Sequence, residues 1–128
     1  MAKILIIEDN AALRTVLKEA LAPLGHSIFE AADGADGIRV LEREPFDLVI
    51  TDIIMPGRWG TETIVQSRRL RPEAKILAIS GASRGKNVEL LETAYKLGAN
   101  ASLSKPFTMK DLRRILVELL GDKKKDGG

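Results

Sequence analysis

The sequence predicts an α/β protein built on one parallel five-stranded sheet, doubly wound so that helices cover both faces. Three observations carry this. Short unbroken apolar runs rich in β-branched residues alternate with longer segments of helical period, the pattern of repeated βα units. The chain has 128 residues, 45% hydrophobic and 30% charged, enough for one ordinary core. No internal repeat, low-complexity block or linker interrupts the alternation, so the whole is a single (βα)5 unit.

The strands expected are residues 4–7, 27–31, 48–51, 76–79 and 101–104. The first, third and fourth are almost purely apolar, as central parallel strands must be, whereas the second and fifth are mixed and belong at the edges. The first helix opens on Asn10 as its N-cap. It then sets Leu13, Val16, Leu17, Ala20, Leu21 and Leu24 on one stripe before Pro23 and Gly25 close it. The second and third helices, from about residues 35 and 61, carry thin stripes interrupted by arginines, and the fourth, from about residue 86, stops at Gly98. The last opens on Thr108, buries Leu112, Ile115, Leu116, Leu119 and Leu120, and ends at Gly121. Residues 1–121 therefore form the domain, and the polar stretch 122–128 is expected to fray.

Composition excludes several functions. With no cysteine there is no disulfide framework, thiol catalysis or Cys-ligated zinc, and a single histidine, His26, excludes a multi-His metal site. No apolar run reaches the roughly 18 residues of a membrane span. The apolar stretch near the N-terminus is too short for a secretory signal, so a cytoplasmic location is expected. The net charge is +2. The clusters Arg68-Arg69-Arg71 and Lys123-Lys124-Lys125 read as solvated surface rather than a nucleic-acid footprint, which needs a basic stripe with a recognition motif. Trp59 is placed in the loop after the third strand, His26 at the surface, and Met55 and Met109 in packing positions.

In open parallel sheets, ligands bind outside the carboxyl ends of the strands, where the strand order reverses. At those ends stand Glu8 and Asp9, Asp52, Ser80, and Lys105 followed by Pro106. Singly, each has a plain structural explanation: Asp9 at a helix N-terminus, Asp52 opening a turn through Met55-Pro56-Gly57, Ser80 in a loop, Lys105 as a solvated cation. Together they do not, because a flavodoxin-like strand order of 2-1-3-4-5 gathers all five at one edge. Two carboxylates about 5 Å apart repel by roughly 3 kcal/mol at an effective dielectric of about 20, so three need a cation. With oxygen ligands alone, Mg²⁺ fits: it keeps several waters and takes one or two carboxylates plus a phosphate oxygen. Lys105 would bind a second phosphate oxygen and Ser80 a third, and a carboxylate held there can attack phosphorus to form an aspartyl-phosphate.

These residues lie in motifs that are specific in combination: residues 4–10 ending in Glu8-Asp9-Asn10, residues 47–56 containing Asp52 and followed by Gly60, Ala78-Ile79-Ser80-Gly81, Leu97-Gly98-Ala99, and Ser104-Lys105-Pro106-Phe107. From residue 3 to 120 the chain resembles the receiver domain of bacterial two-component response regulators, most closely single-domain receivers of the chemotaxis type. The resemblance implies Asp52 as phosphoacceptor, with Asp9, Asp52 and the backbone carbonyl of Ile54 as direct Mg²⁺ ligands and Glu8 acting through a metal-bound water. It implies Ser80 as the hydroxyl that moves toward the phosphoryl group, Lys105 as its cationic partner, and a cis Lys105-Pro106 bond. The donor implied is a histidine kinase or histidine phosphotransfer protein. The output is a protein target reached through the face of the fourth helix, fifth strand and fifth helix, by a monomer or a phosphorylation-dependent homodimer.

Three features depart from the receiver pattern. Ser102 stands where a Tyr or Phe is usual, three residues before Lys105, with Tyr95 on the fourth helix as a candidate substitute. The segment between Ser80 and Lys105 is about three residues longer than usual, with Gly81, Ser83, Arg84 and Gly85 reading as a flexible loop. Ile54 and Ala82, two residues beyond Asp52 and Ser80, are apolar where water would reach an acyl phosphate, so slow self-hydrolysis is expected. A phosphorelay shuttle and a phosphorylation-independent binding module are the related alternatives. An aspartate-nucleophile phosphatase would need an acid at position 54, and a flavodoxin would need a Ser/Thr/Gly-rich phosphate loop after the first strand. Neither is present, so the chain is expected to act as a signalling phosphoacceptor rather than an enzyme on other substrates, with neither nucleic acid nor membrane as partner.

Overall fold

The apolar runs pair as the pattern predicts, and the order in which they pair decides where the polar strand ends meet. The computed structural model describes residues 2–53, 59–80 and 86–121, apart from the side chains of residues 59 and 86–91. In chain order the elements are β1 (Lys3–Ile7), α1 (Ala11–Leu21), β2 (Ser27–Ala31), α2 (Gly34–Arg43), β3 (Leu48–Asp52), α3 (Trp59–Leu70), β4 (Lys75–Ser80), α4 (Lys86–Leu97), β5 (Ala101–Ser104) and α5 (Met109–Leu120). The strands are parallel in the order β2-β1-β3-β4-β5. This is the doubly wound order expected, with the mixed strands β2 and β5 at the edges.

Alternate residues of the central strands face opposite layers. Ile4, Ile6, Leu48, Ile50, Leu77 and Ile79 pack with Leu17 and Leu21 of α1 and Leu112, Ile115 and Leu116 of α5. Leu5, Ile7, Val49, Ile76 and Ala78 pack with Leu41 of α2, Ile64 of α3 and Ala94 of α4. Burial on both faces is what makes continuous apolar strands stable, at about 25 cal/mol per Å² of apolar surface removed from water. The caps are those predicted: Asn10 accepts from the Leu13 N–H, and Thr108 and Asp111 form a reciprocal capping box. Gly60 is required by close approach, since a Cβ there would lie 2.2 Å from the carbonyl oxygen of Ile53, the residue after β3. No described helix is long and apolar enough to cross a membrane.

Four expectations need correction. Val16 and Leu24 are not core: they are 45% and 50% exposed. Leu13, Leu17, Ala20 and Leu21 already cover the sheet, and the chain leaves α-helical geometry at Ala22, so Leu24 falls in a 3-10 turn. Trp59 is the first residue of α3 rather than a loop residue. His26 is half-buried, its Nδ1 accepting the Ala2 N–H at 3.1 Å, and burial holds its imidazole below the usual range.

The arginines at the end of α3 and just beyond it are not merely a solvated cluster. Arg68 donates through Nη1 to the Pro72 and Ala74 carbonyls and through Nη2 to the Gly98 carbonyl and Asn100 Oδ1, all at 2.7 Å. Arg71 donates to the Leu41 carbonyl at the end of α2. A planar guanidinium satisfies several loop carbonyls at once where a lysine ammonium could not. The turn at residues 55–57, the loop 81–85 and the stretch 122–128 lie outside the described residues.

Because Arg68 ties two connections together through four hydrogen bonds, Arg68→Ala should destabilise the fold by about 2–3 kcal/mol, with Arg68→Lys recovering little of it. Denaturant unfolding checks this; a loss under about 0.5 kcal/mol would mean a surface role only.

Candidate functional site

Parallel pairing in register brings the strand ends side by side. β1 neighbours both β2 and β3, so the chain leaves β1 at the point where strand order reverses. There Glu8 and Asp9 begin the β1–α1 loop. Asp52 is the last residue of β3, and Ser80 the last of β4, opposite Ser104 of β5. Lys105 follows directly, its N–H donating to the Ser80 carbonyl at 2.8 Å, and the Lys105-Pro106 bond is cis.

The structure brings together four of the predicted side chains, with Ser80 at the neighbouring strand end. Lys105 Nζ donates to Asp52 Oδ2 at 2.7 Å and lies 3.6 Å from Glu8 Oε1. Glu8, Asp52 and Ser80 are almost entirely buried, whereas Asp9 is exposed at the rim. One oxygen each from Glu8, Asp9 and Asp52 lies within 4.8 Å of the others, the only such cluster of three acids among the described residues. Glu8 Oε2 accepts the Asn10 N–H at 3.1 Å, while Glu8 Oε1, buried, makes no hydrogen bond. The predicted ligand carbonyl of Ile54, and Ala82, lie outside the described residues.

Burial, reinforced by the charge of Asp52, raises the Glu8 carboxyl to about 7; the Asn10 N–H and Lys105 oppose this only in part. Lys105 moves the other way from the usual buried lysine. Burial would lower it, but the hydrogen bond and charge of Asp52, with Glu8 behind, raise it overall. The lysine is thus held charged in a pocket with three acids and a buried oxygen lacking a hydrogen bond. An all-oxygen donor set of this size suits a hard divalent cation of the Mg²⁺ type, so the residues fit that ion.

Two features escaped the sequence reading or were only half seen. Arg14 of α1 donates from Nη1 to the backbone carbonyl of Glu8 at 2.6 Å, and its helical position beside the amphipathic stripe was the available signal. The Tyr95 hydroxyl lies 3.1 Å from Ser102 Oγ, so the serine at the departing position and the tyrosine considered as its substitute are hydrogen-bonded to each other. Tyr95 is 48% exposed, which leaves the link between α4 and β5 at the surface.

Comparison with known proteins agrees with this geometry. Residues 4–117 match the response regulator receiver domain. The chain is 33% identical over 120 residues to a probable chemotaxis protein CheY of Rhizobium etli, covering 93% of this chain and 92% of that one. It is 34% identical over 122 residues to the DNA-binding transcriptional regulator NtrC of Azospirillum brasilense, where 93% of this chain spans 24% of the relative. Among solved structures, a CheY-like receiver domain protein from Methanospirillum hungatei superimposes with a TM-score of 0.84 at 29% identity, covering 100% of this chain and 99% of that one. With its strand order, its clustered acids and its matched length, the chain belongs to the response regulator receiver domain family.

Proposed function

We propose that the chain accepts a phosphoryl group on Asp52 from a phosphohistidine donor, in a Mg²⁺-dependent reaction, and signals by protein–protein contact. The observation that carries this is the pairing of Asp52 with Lys105 inside a cluster of three acids at the switch point of the sheet. Asp9, Asp52 and the Ile54 carbonyl would hold the ion, with Glu8 acting through water. When bound, Mg²⁺ supplies charge neutralisation for the acids and for an incoming phosphoryl oxygen.

The chain's own residues do the rest. An Asp52 carboxylate oxygen forms the new bond to phosphorus as the donor's P–N bond breaks, the electron pair leaving with the imidazole nitrogen. Lys105, already 2.7 Å from Asp52, exchanges part of that contact for a phosphoryl oxygen, and Ser80 donates its hydroxyl to another. A histidine kinase or histidine phosphotransfer protein is the donor this chemistry needs. The α4–β5–α5 face, bridged by Tyr95 and Ser102, is the surface offered to a downstream protein. The cytoplasm is the compartment in which such donors act, and an onward relay to a second histidine uses the same chemistry in reverse.

Intact-mass analysis after incubation with a small acyl-phosphate donor tests the reading. One Mg²⁺-dependent phosphoryl adduct is expected on the wild type and none on Asp52→Asn. No adduct under any condition would leave a binding module that keeps the pocket without the chemistry. The adduct's decay should take minutes or longer, from Ile54 and Ala82; decay within seconds would refute slow self-hydrolysis.

A pH dependence follows from Glu8. Its carboxyl titrates near 7 folded and near 4.5 unfolded, so between these values the folded state binds more protons. Without metal, this group's contribution should therefore fall as pH rises from about 5 to 7.5. Thermal melts should show that loss in the metal-free wild type relative to Glu8→Gln. If the two have the same pH slope, Glu8 is not held as described.

A further inference from the structure

β1 ends at Ile7, so Glu8 is the first residue whose backbone the ladder no longer holds on both sides. Its N–H still donates to the Ala31 carbonyl of β2 at 3.1 Å. Its carbonyl has left the β1–β3 pairing and accepts instead from Arg14 Nη1 at 2.6 Å. The same guanidinium lies with Nε 3.4 Å from Glu30 Oε1 on β2, and Glu30 is held from its other oxygen by Lys18 at 3.1 Å. Glu30 pairs with Ile6, so it shares the sheet face that carries α1. Arg14 is therefore a brace running from the edge strand to the loop that carries two of the three acids. The Asn10 N–H fixes the carboxylate end of Glu8, and Arg14 fixes the backbone end.

We propose that Arg14, braced by Glu30, is a positioning residue for the acidic pocket: it fixes the Glu8 carbonyl and thereby sets Glu8 and Asp9 for a divalent cation. This rests on the reading that the pocket takes Mg²⁺. The proposal has a sign that separates it from simple electrostatics. A positive side chain near a cation site repels the ion, so by charge alone its removal tightens binding. Loss of a brace for the ligand loop weakens binding, as loss of groups that orient metal ligands does, by about tenfold or more.

Calorimetric titration with Mg²⁺ tests it on the wild type, Arg14→Met, Arg14→Lys and Glu30→Gln. Arg14→Met should bind Mg²⁺ about tenfold more weakly. Arg14→Lys, which keeps the charge but cannot span both partners, should also weaken binding. Glu30→Gln should shift it in the same direction by less. The Mg²⁺ concentration giving half-maximal phosphorylation should rise by more than the plateau falls. If Arg14→Met does not fold, the Lys and Gln variants carry the test. Binding by all variants as tight as wild type, or tighter in Arg14→Met, overturns the proposal alone. A wild type that binds no Mg²⁺ overturns the reading of the pocket on which it rests.

Discussion

The ion pair between Lys105 and Asp52 is the interaction around which the strand ends are organised. Both groups reach the pocket only because β3, β4 and β5 lie side by side, so their carboxyl ends open at one edge. An aspartate 3% exposed is costly without a cation, and the lysine supplies one. The lysine nevertheless leaves an excess of acid. Burial, with the charge of Asp52 behind it, raises the Glu8 carboxyl to about 7, and one of its oxygens is buried without a hydrogen bond. Three acids gathered around one ammonium are a donor set of the kind that suits a hard divalent cation.

The scaffold tolerates this because nearly everything behind the pocket is apolar and well packed. The two layers on either face of the sheet bury the central strands almost completely, which fixes the heights at which those strands end. The connections are held separately by polar side chains. Arg68 gathers the turn before β4 and the α4–β5 connection, Arg71 the end of α2, and Arg14 the loop after β1. Helices and strands place the acids, and guanidinium groups steady the loops between them.

Much of this was legible in the residues. Strands betray themselves by unbroken β-branched runs, and the polar ends of those runs name the side chains that the fold gathers, because an acid ending an apolar strand is exceptional where several do so at one edge. Glycines, prolines and N-caps then mark the helices to within a residue or two. What the residues did not disclose depends on tertiary contacts. The exposure of Val16 and Leu24 follows from how much of the sheet α1 can cover, which periodicity alone does not contain. Arg68 reads as a surface charge until the carbonyls of Pro72, Ala74 and Gly98 are seen to converge on it. The hydrogen bond between Tyr95 and Ser102 joins residues from different elements, so its existence is a fact of packing, although both partners stood out by composition.

The acids at the strand ends require positive charge, which Lys105 supplies in the absence of metal. The most direct measurement is the melting temperature of Lys105→Met beside the wild type, each with and without millimolar Mg²⁺. Without metal the variant should lose about 3 kcal/mol or more of stability, because the buried carboxylates lose the ammonium that Lys105 sets against them. Mg²⁺ should restore a large part of that loss and stabilise the variant more than the wild type. A metal-free variant that melts with the wild type, or an equal Mg²⁺ response in both, would contradict the account.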